Sequence, residues 1–353
     1  MPSQPIISAC SRIVQQQLLP QIPARWQHQF KFGIQALTLK PFSSLASNGR
    51  QTVAHPDTAG TKMDRLVNNE PLTEAMSLAV AGLGFIRPDS IVACDHSDFN
   101  GLSAFVGAVQ TRKGRAIPCL VATTYSPRLP AHDQAPKRKQ QMRRARRELS
   151  YDLYGQVATS LETWASQIGF WPRLVFDRGF GGLTLIQMLA SHDATFYIRL
   201  KAGRQVELDG KKLQVRMLSS ADATIRLGDM TLRVVRSDDP ESGEPWYILT
   251  SDRTLSREQI IRIYYHRFEI EETFKDLKHV LDLEQTRLTK PLSLKVLLWF
   301  ASLGLILSFL LGWWAAPHRR QNPKKVLSHY KQFFESLQRA AYRPLATLIT
   351  GGL

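Results

Sequence analysis

Three acids in this chain stand where carboxylates could share chemical work. Asp95 closes the run SIVACD and Asp177 closes RLVFD, while Glu271 lies within SREQIIRIYYHRFEIEETFKDLKHVLDL, residues 256–283. An Asp that ends an apolar, β-branched run belongs at the carboxyl end of a strand, where sites gather in open sheets containing parallel strands. With Glu271 supplied by a helix, the three make a set of hard oxygen donors suited to Mg²⁺ or Mn²⁺ with water positions left open. Two such ions about 4 Å apart can activate a water or a 3′-hydroxyl and stabilise the leaving oxygen of an in-line phosphoryl displacement. The sequence DHSD keeps Asp98 as an alternative to Asp95 for the first ligand. His96, His132 and His266 have no metal-ligand spacing among themselves and read as ordinary surface or supporting groups.

The stretch 256–283 reads as one helix, because Ile263, Ile270, Phe274, Leu277 and Leu281 recur at helical spacing and Ser256 with Gln259 forms a capping-box start. At about 100° per residue, Tyr264, Arg267, Glu271, Lys275 and Lys278 fall within an arc of roughly 80°. One carboxylate therefore sits among a phenol, a guanidinium and two ammonium groups. A phosphodiester approaching carboxylates is repelled, and these cations can neutralise and orient the phosphates on either side. The plainer reading of the row is a solvated face with i,i+4 ion pairs. The tract KRKQQMRRARREL, with Lys137, Arg138, Lys139, Arg143 and Arg144, adds nonspecific, salt-sensitive phosphate contacts or else forms a solvated helix face. Trp246 opens the run WYILTSD and either stacks an unpaired base or fills the core.

Composition favours the phosphate reading. Lys and Arg number 46 against 30 Asp and Glu, a formal net charge of +16 that marks a polyanion binder, with nucleic acid the first candidate, an anionic membrane the second and a merely basic soluble protein the third. Cys10, Cys94 and Cys119 are too few and too scattered for a disulfide framework or a zinc site, so a reducing, cytoplasmic location is expected. No charged segment leads into an apolar signal core at the N-terminus. The uncharged run VLLWFASLGLILSFLLGWWAA, 296–316, is just long enough to span a bilayer at about 20 residues. It is isolated, follows the charged helix and precedes a basic amphipathic segment, so it reads as a buried core helix of a protein without a membrane partner.

These groups need a scaffold. Residues 1–89 read as a helical N-terminal region, with patches such as SRIVQQQLL and TEAMSLAVAGLGF and a linker near LASNGRQTVAHPDTAG. Residues 90–201 hold three strand-like runs joined by the short turns DFNG and RKGR, then RLVFD, a short helix and FYIRLK. Three hairpin strands followed by alternating helix and strand predict a mixed α/β sheet with helices on its faces, the ribonuclease H-like layout. Residues 202–244 read as a β-rich insertion, 245–316 resume the core, and 317–353 form a basic C-terminal helical region.

Tyr264, two residues, Arg267, three residues, Glu271, six residues and Lys278 make the Y-R-E-K signature in full spacing. With IEETFKDLK, the DRG that opens at Asp177 and the β insertion before the Glu, residues 90–311 resemble the bacterial DDE transposases of the insertion-sequence-four family. The resemblance implies that Asp95, Asp177 and Glu271 bind catalytic Mg²⁺ (or Mn²⁺) as two ions, and that Tyr264, Arg267 and Lys278 contact DNA near the element end. It further implies that Arg178 lies beside the metal site and that Trp246 stacks on a flipped base while the DNA end forms a hairpin. Relatives commonly carry Thr two places after the first Asp, where this chain has Ser97. The activity implied is cut-and-paste transposition by a homodimer in a synaptic complex with element ends and target DNA, in a nucleoid-associated bacterial enzyme. The alternative is an inactive or domesticated relative that only binds DNA. Untagged protein is expected to remain in the supernatant when membranes are pelleted, and detergent-dependent solubility would reverse the core reading of 296–316.

Overall fold

The computed structural model describes residues 11–39, 56–126, 155–238, 244–280, 283 and 288–315. The basic tract with Lys137, Arg138, Lys139, Arg143 and Arg144, and the expected helix in 317–353, lie outside them. The strand runs read from the sequence are strands. β1 (Ile91–Phe99), β2 (Leu102–Gln110) and β3 (Ala116–Tyr125) come first, then β4 (Arg173–Phe176) and β5 (Phe196–Leu200). Asn100 and Gly101, with φ of 48° and 85°, supply the two left-handed residues that a tight β1–β2 turn demands. The region expected as a β-rich insertion provides β6 (Gln205–Leu208), β7 (Lys211–Gln214), β8 (Asp222–Leu227) and β9 (Met230–Asp238), before β10 (Pro245–Thr250).

Hydrogen-bonded neighbours follow the order β3-β2-β1-β4-β5-β10-β9-β8-β6-β7. β4 runs parallel to both β1 and β5, whereas β2–β3, β5–β10 and β9–β10 are antiparallel. This is a large mixed sheet flanked by helices, consistent with the ribonuclease H-like layout expected from the order of elements. The inserted strands extend the same sheet, since β9 pairs with β10 along its length from Asp238 to Arg233.

The chain divides into two compact units that do not follow chain order: Met1–Ile86, His96–Ser126 and Glu269–Leu353 in one, Arg87–Asp95 and Pro127–Phe268 in the other. β1 passes from one unit to the other between Asp95 and His96.

The first unit contains helices α1 (Ala24–Leu39), α2 (Pro56–Val67) and α3 (Glu70–Ala81). Part of the expected linker is helical, since α2 opens at Pro56, whose fixed φ suits a first turn. Asn69 caps α3 by accepting the Leu72 N–H at 3.1 Å.

In the second unit, residues 155–168 form α4, and α5 spans Leu183–Ser191. Its core joins Val175, Tyr197, Val235, Trp246 and Ile248 of the sheet to Ile260, Ile263 and Tyr264 of α6 (Arg257–Tyr265).

The expected single helix over 256–283 is broken. α6 begins with the anticipated capping box on Ser256 and Gln259 but ends at Tyr265, α7 covers Phe268–Lys275, and a π turn takes Asp276–Val280. The Arg267 N–H donates to Tyr264 O at 2.9 Å, a tighter bond than the i−4 ladder, and the chain turns at His266 and Arg267. No Gly or Pro marks the break in the sequence.

The apolar run is α8 (Pro291–Ala315), back in the first unit, where it packs against β2, β3, α1, α2 and α3. Val296 through Ala301 and Leu303 are buried, as a helix apolar on all sides must be. No described helix is long and apolar enough to cross a membrane. α1 approaches α8 closely at Gly33, where an added Cβ would clash with Cζ of the buried Phe300 ring. Gly33→Ala is therefore expected to destabilise the protein by about 1–3 kcal/mol through overpacking. A lowered urea midpoint checks this, and an unchanged midpoint would mean the Phe300 ring swings aside at no cost.

Candidate active site

The parallel β1–β4 ladder runs from Ile91 opposite Arg173 to Cys94 opposite Phe176. The next residues are Asp95 and Asp177, on neighbouring strands about 4.8 Å apart. β1 continues to Phe99, so Asp95 ends the ladder with β4 rather than the strand itself, which corrects the sequence expectation. Asp98, three residues on in the same strand, projects to the opposite face and accepts a hydrogen bond from Ser126 Oγ at 2.9 Å. Asp95 is the residue that follows the ladder level with Asp177.

Asp177 caps a single 3₁₀ turn, Arg178–Phe180, and accepts the Gly179 N–H at 2.6 Å. A Cβ on Gly179 would lie 2.8 Å from Asp177 Oδ1, so the glycine of DRG is needed for the carboxylate to keep this position. Arg178 is exposed beside it.

Arg267, released by the turn after α6, reaches Asp95. Its Nη1 donates to Asp95 Oδ2 at 3.1 Å, with side-chain exposures of 8% for Arg267 and 19% for Asp95. The guanidinium also lies over the rings of Tyr264 at 5.9 Å and Phe268 at 5.0 Å.

Tyr264 and Trp246, expected to meet DNA, are each 1% exposed. The two rings meet edge to face at 5.2 Å, and Arg199 lies 5.7 Å from the Trp246 ring centroid. Packing of α6 on the sheet through Ile260, Ile263 and Tyr264 puts the phenol in the core stripe rather than in a phosphate-facing row. Burial pushes the Tyr264 hydroxyl up to about 12, with Arg267 and Arg199 pulling the other way, so it is a neutral phenol at physiological pH. The Trp246 indole N–H is buried with no hydrogen-bond partner among the described residues.

Glu271 belongs to the other unit, half-buried on α7. That helix is anchored to the β2–β3 hairpin by neighbouring side chains. Glu269 accepts the backbone N–H groups of Thr111 at 2.8 Å, Arg112 at 3.2 Å and Gly114 at 3.2 Å. Thr273 Oγ1 exchanges hydrogen bonds with Ala116, and Asp276 pairs with Arg115 at 2.6 Å. Glu271 projects about 200° round the helix from Glu269, away from these anchors.

Lys275 is engaged by Glu272, which also pairs with Arg115 at 3.4 Å, and Lys278 lies over the Phe99 ring at 5.2 Å. Glu269 and Arg199 carried no motif to single them out. Only tertiary contact shows that one acid clamps a turn and that the arginine covers a tryptophan.

The paired carboxylates Asp95 and Asp177 have the donor chemistry of a hard divalent cation site. Among the described residues, no three His, Cys, Asp or Glu are grouped to hold a metal ion.

Residues 151–307 match the family model of the transposase DDE domain. The match supports a DDE transposase. It takes in Asp177, Trp246, Arg267 and Glu271 and begins beyond Asp95. No curated protein matches the chain.

Arg267 supplies a counter-charge to Asp95. Arg267→Gln is expected to cost about 1–3 kcal/mol by depriving a largely buried carboxylate of its cation. Adding Asp95→Asn should return part of that loss. Urea denaturation of both single variants and the double variant measures the coupling, and strictly additive losses would show that the pair does not act as one unit.

Proposed function

We propose that this protein is a metal-dependent DDE transposase of the insertion-sequence-four type, which cuts the ends of its element and joins them to target DNA. The observation that carries the reading is the side-by-side placement of Asp95 and Asp177 at the end of the parallel β1–β4 ladder. Support comes from the transposase DDE domain match over 151–307 and from the excess of basic residues.

Asp95, Asp177 and Glu271 would hold Mg²⁺ or Mn²⁺, and the bound ions would supply Lewis-acid activation of the attacking oxygen and stabilisation of the leaving oxygen. The chain's own groups prepare this site. The Gly179 N–H fixes the Asp177 carboxylate, and Arg267 pairs with Asp95. Tyr264, packed edge to face on Trp246, and Phe268 lie beneath Arg267. Arg178, Lys275 and Lys278 are the phosphate contacts of this reading, with Lys137, Arg138, Lys139, Arg143 and Arg144 adding nonspecific affinity.

The reaction sequence is a set of phosphodiester exchanges. Water attacks at the element end, breaking the bond to the 3′ oxygen and freeing a 3′-hydroxyl. That hydroxyl attacks the opposite strand to form a hairpin, water reopens it, and the 3′-hydroxyl then joins a target phosphodiester. Two protomers holding two ends in one synaptic complex would act together.

The test uses duplexes carrying the inverted repeats that flank the gene, incubated in Mg²⁺. Asp95→Asn, Asp177→Asn and Glu271→Gln are each expected to reduce end cleavage to background, while duplex binding in EDTA persists. Cleavage by Glu271→Gln equal to that of the wild type would remove Glu271 from the mechanism. Binding without cleavage by the wild type would favour a DNA-binding relative instead.

A further inference from the structure

We propose that the cleft bounded by Arg178, Lys201 and Arg204 seats the phosphodiester backbone of a DNA strand alongside Asp177. This rests on the transposase reading and adds to it the path of the strand over one unit of the protein.

The cleft measures about 440 Å³ and lies wholly within the unit that carries Asp177. Its lining includes these three cations, the glycines Gly179, Gly182 and Gly203, and no acid. Among the described residues, none of the three basic side chains has a hydrogen-bond or ion-pair partner. Three like charges converging on one hollow repel each other, and a bound polyanion turns that cost into attraction. Each could contact a different phosphate oxygen, Arg178 and Arg204 by their planar forks and Lys201 as a point charge.

The backbone suits the same ligand. Glycines let main chain approach a phosphate closely, and Gly203 has no atom within 4 Å of where a Cβ would sit. Gly182 caps the nine-residue α5 with no side-chain hydrogen bond, so the first N–H groups of that helix are not taken by a cap.

Position selects a strand over a small phosphate compound. β4 and β5 are parallel, with Phe176 opposite Ile198, so Arg178 and Lys201 both lie just past the carboxyl ends of adjacent strands. The strands bearing Asp95, Asp177 and Lys201 are successive neighbours in the sheet, with Asp95 level with Asp177 and Lys201 two residues beyond the Asp177 level, opposite Gly179. A chain of phosphates crossing this edge meets the paired carboxylates and the cationic cleft in succession. Arg178 was expected to lie beside a metal site; Lys201 and Arg204 join it only because β5 ends next to β4.

The experiment measures binding in EDTA, so it does not depend on cleavage. Fluorescence anisotropy of a labelled 20-base-pair duplex is recorded across a KCl series for wild type, Lys201→Gln/Arg204→Gln and the control Lys211→Gln/Lys212→Gln. Both control lysines are exposed on β7 of the same unit. The cleft variant is expected to lower the slope of log K against log salt by about 2 and to weaken binding roughly tenfold at low salt, with the control near wild type. Equal losses in both variants, or none in either, overturn the proposal.

Lysine acylation footprinting of the wild-type protein provides a second readout that is independent of variant folding. Duplex should protect Lys201, and inorganic phosphate at the same phosphate concentration should not. Unprotected Lys201, or equal protection by inorganic phosphate, overturns the strand assignment. Failed end cleavage alongside a changed salt slope would reject the transposase reading and leave the cleft as a DNA contact. Normal cleavage with an unchanged slope would reject the cleft alone.

Discussion

The pairing of β1 with β4 is the constraint on which the candidate site depends. Val92, Ala93 and Cys94 on one strand and Leu174, Val175 and Phe176 on the other are completely buried. Side chains alternate across a sheet, so a slip of one residue would exchange the two faces of a strand and drive one aspartate away from the other. Burial of all six neighbours makes that slip costly. Two weakly informative residues, each an Asp after an apolar run, thus become a pair through the packing of the segments that precede them.

Electrostatics then distinguish several of these acids by what answers them. Glu269 is answered by three backbone N–H groups, Asp276 by Arg115, and Asp95 by Arg267. Asp252 accepts the Tyr197 hydroxyl at 2.7 Å. Asp177 has a single backbone N–H and no ion-pair partner among the described residues. A half-buried carboxylate needs compensation, and Asp177 takes it from a neighbouring backbone group rather than from a cation. The same argument, with the sign reversed, applies to the cationic cleft one strand away.

The aromatic residues illustrate how local role depends on packing. Trp246 and Tyr264 are types that stack on bases as readily as on each other. Here each covers the other, Arg199 lies near the indole and Arg267 near the phenol, so the rings serve as a support that holds the Arg267 guanidinium toward Asp95. The sequence reading had put Tyr264 in a phosphate-facing row with Arg267, Glu271, Lys275 and Lys278, and Trp246 either on a base or in the core. That reading assumed an uninterrupted helix, and the turn at His266 and Arg267 removes the assumption.

Much of the fold could be read from the chain alone. Apolar runs bounded by Asn-Gly and Arg-Lys-Gly turns, the capping box at Ser256, and an all-round apolar segment after Pro291 each encode their element locally, because periodicity, turn geometry and capping act over a few residues. The strands, their order of appearance, the core helix and the identities of Asp95, Asp177 and Glu271 as candidates came from such signals. The tertiary structure decided which side chains meet. The register of β1 on β4, the break between α6 and α7, the Arg267–Asp95 pair, the burial of Trp246 and Tyr264, and the gathering of Lys201 and Arg204 beside Arg178 all join segments distant in sequence. Those outcomes follow from which buried surfaces and charges compensate one another across the fold, a balance that no single stretch of residues contains.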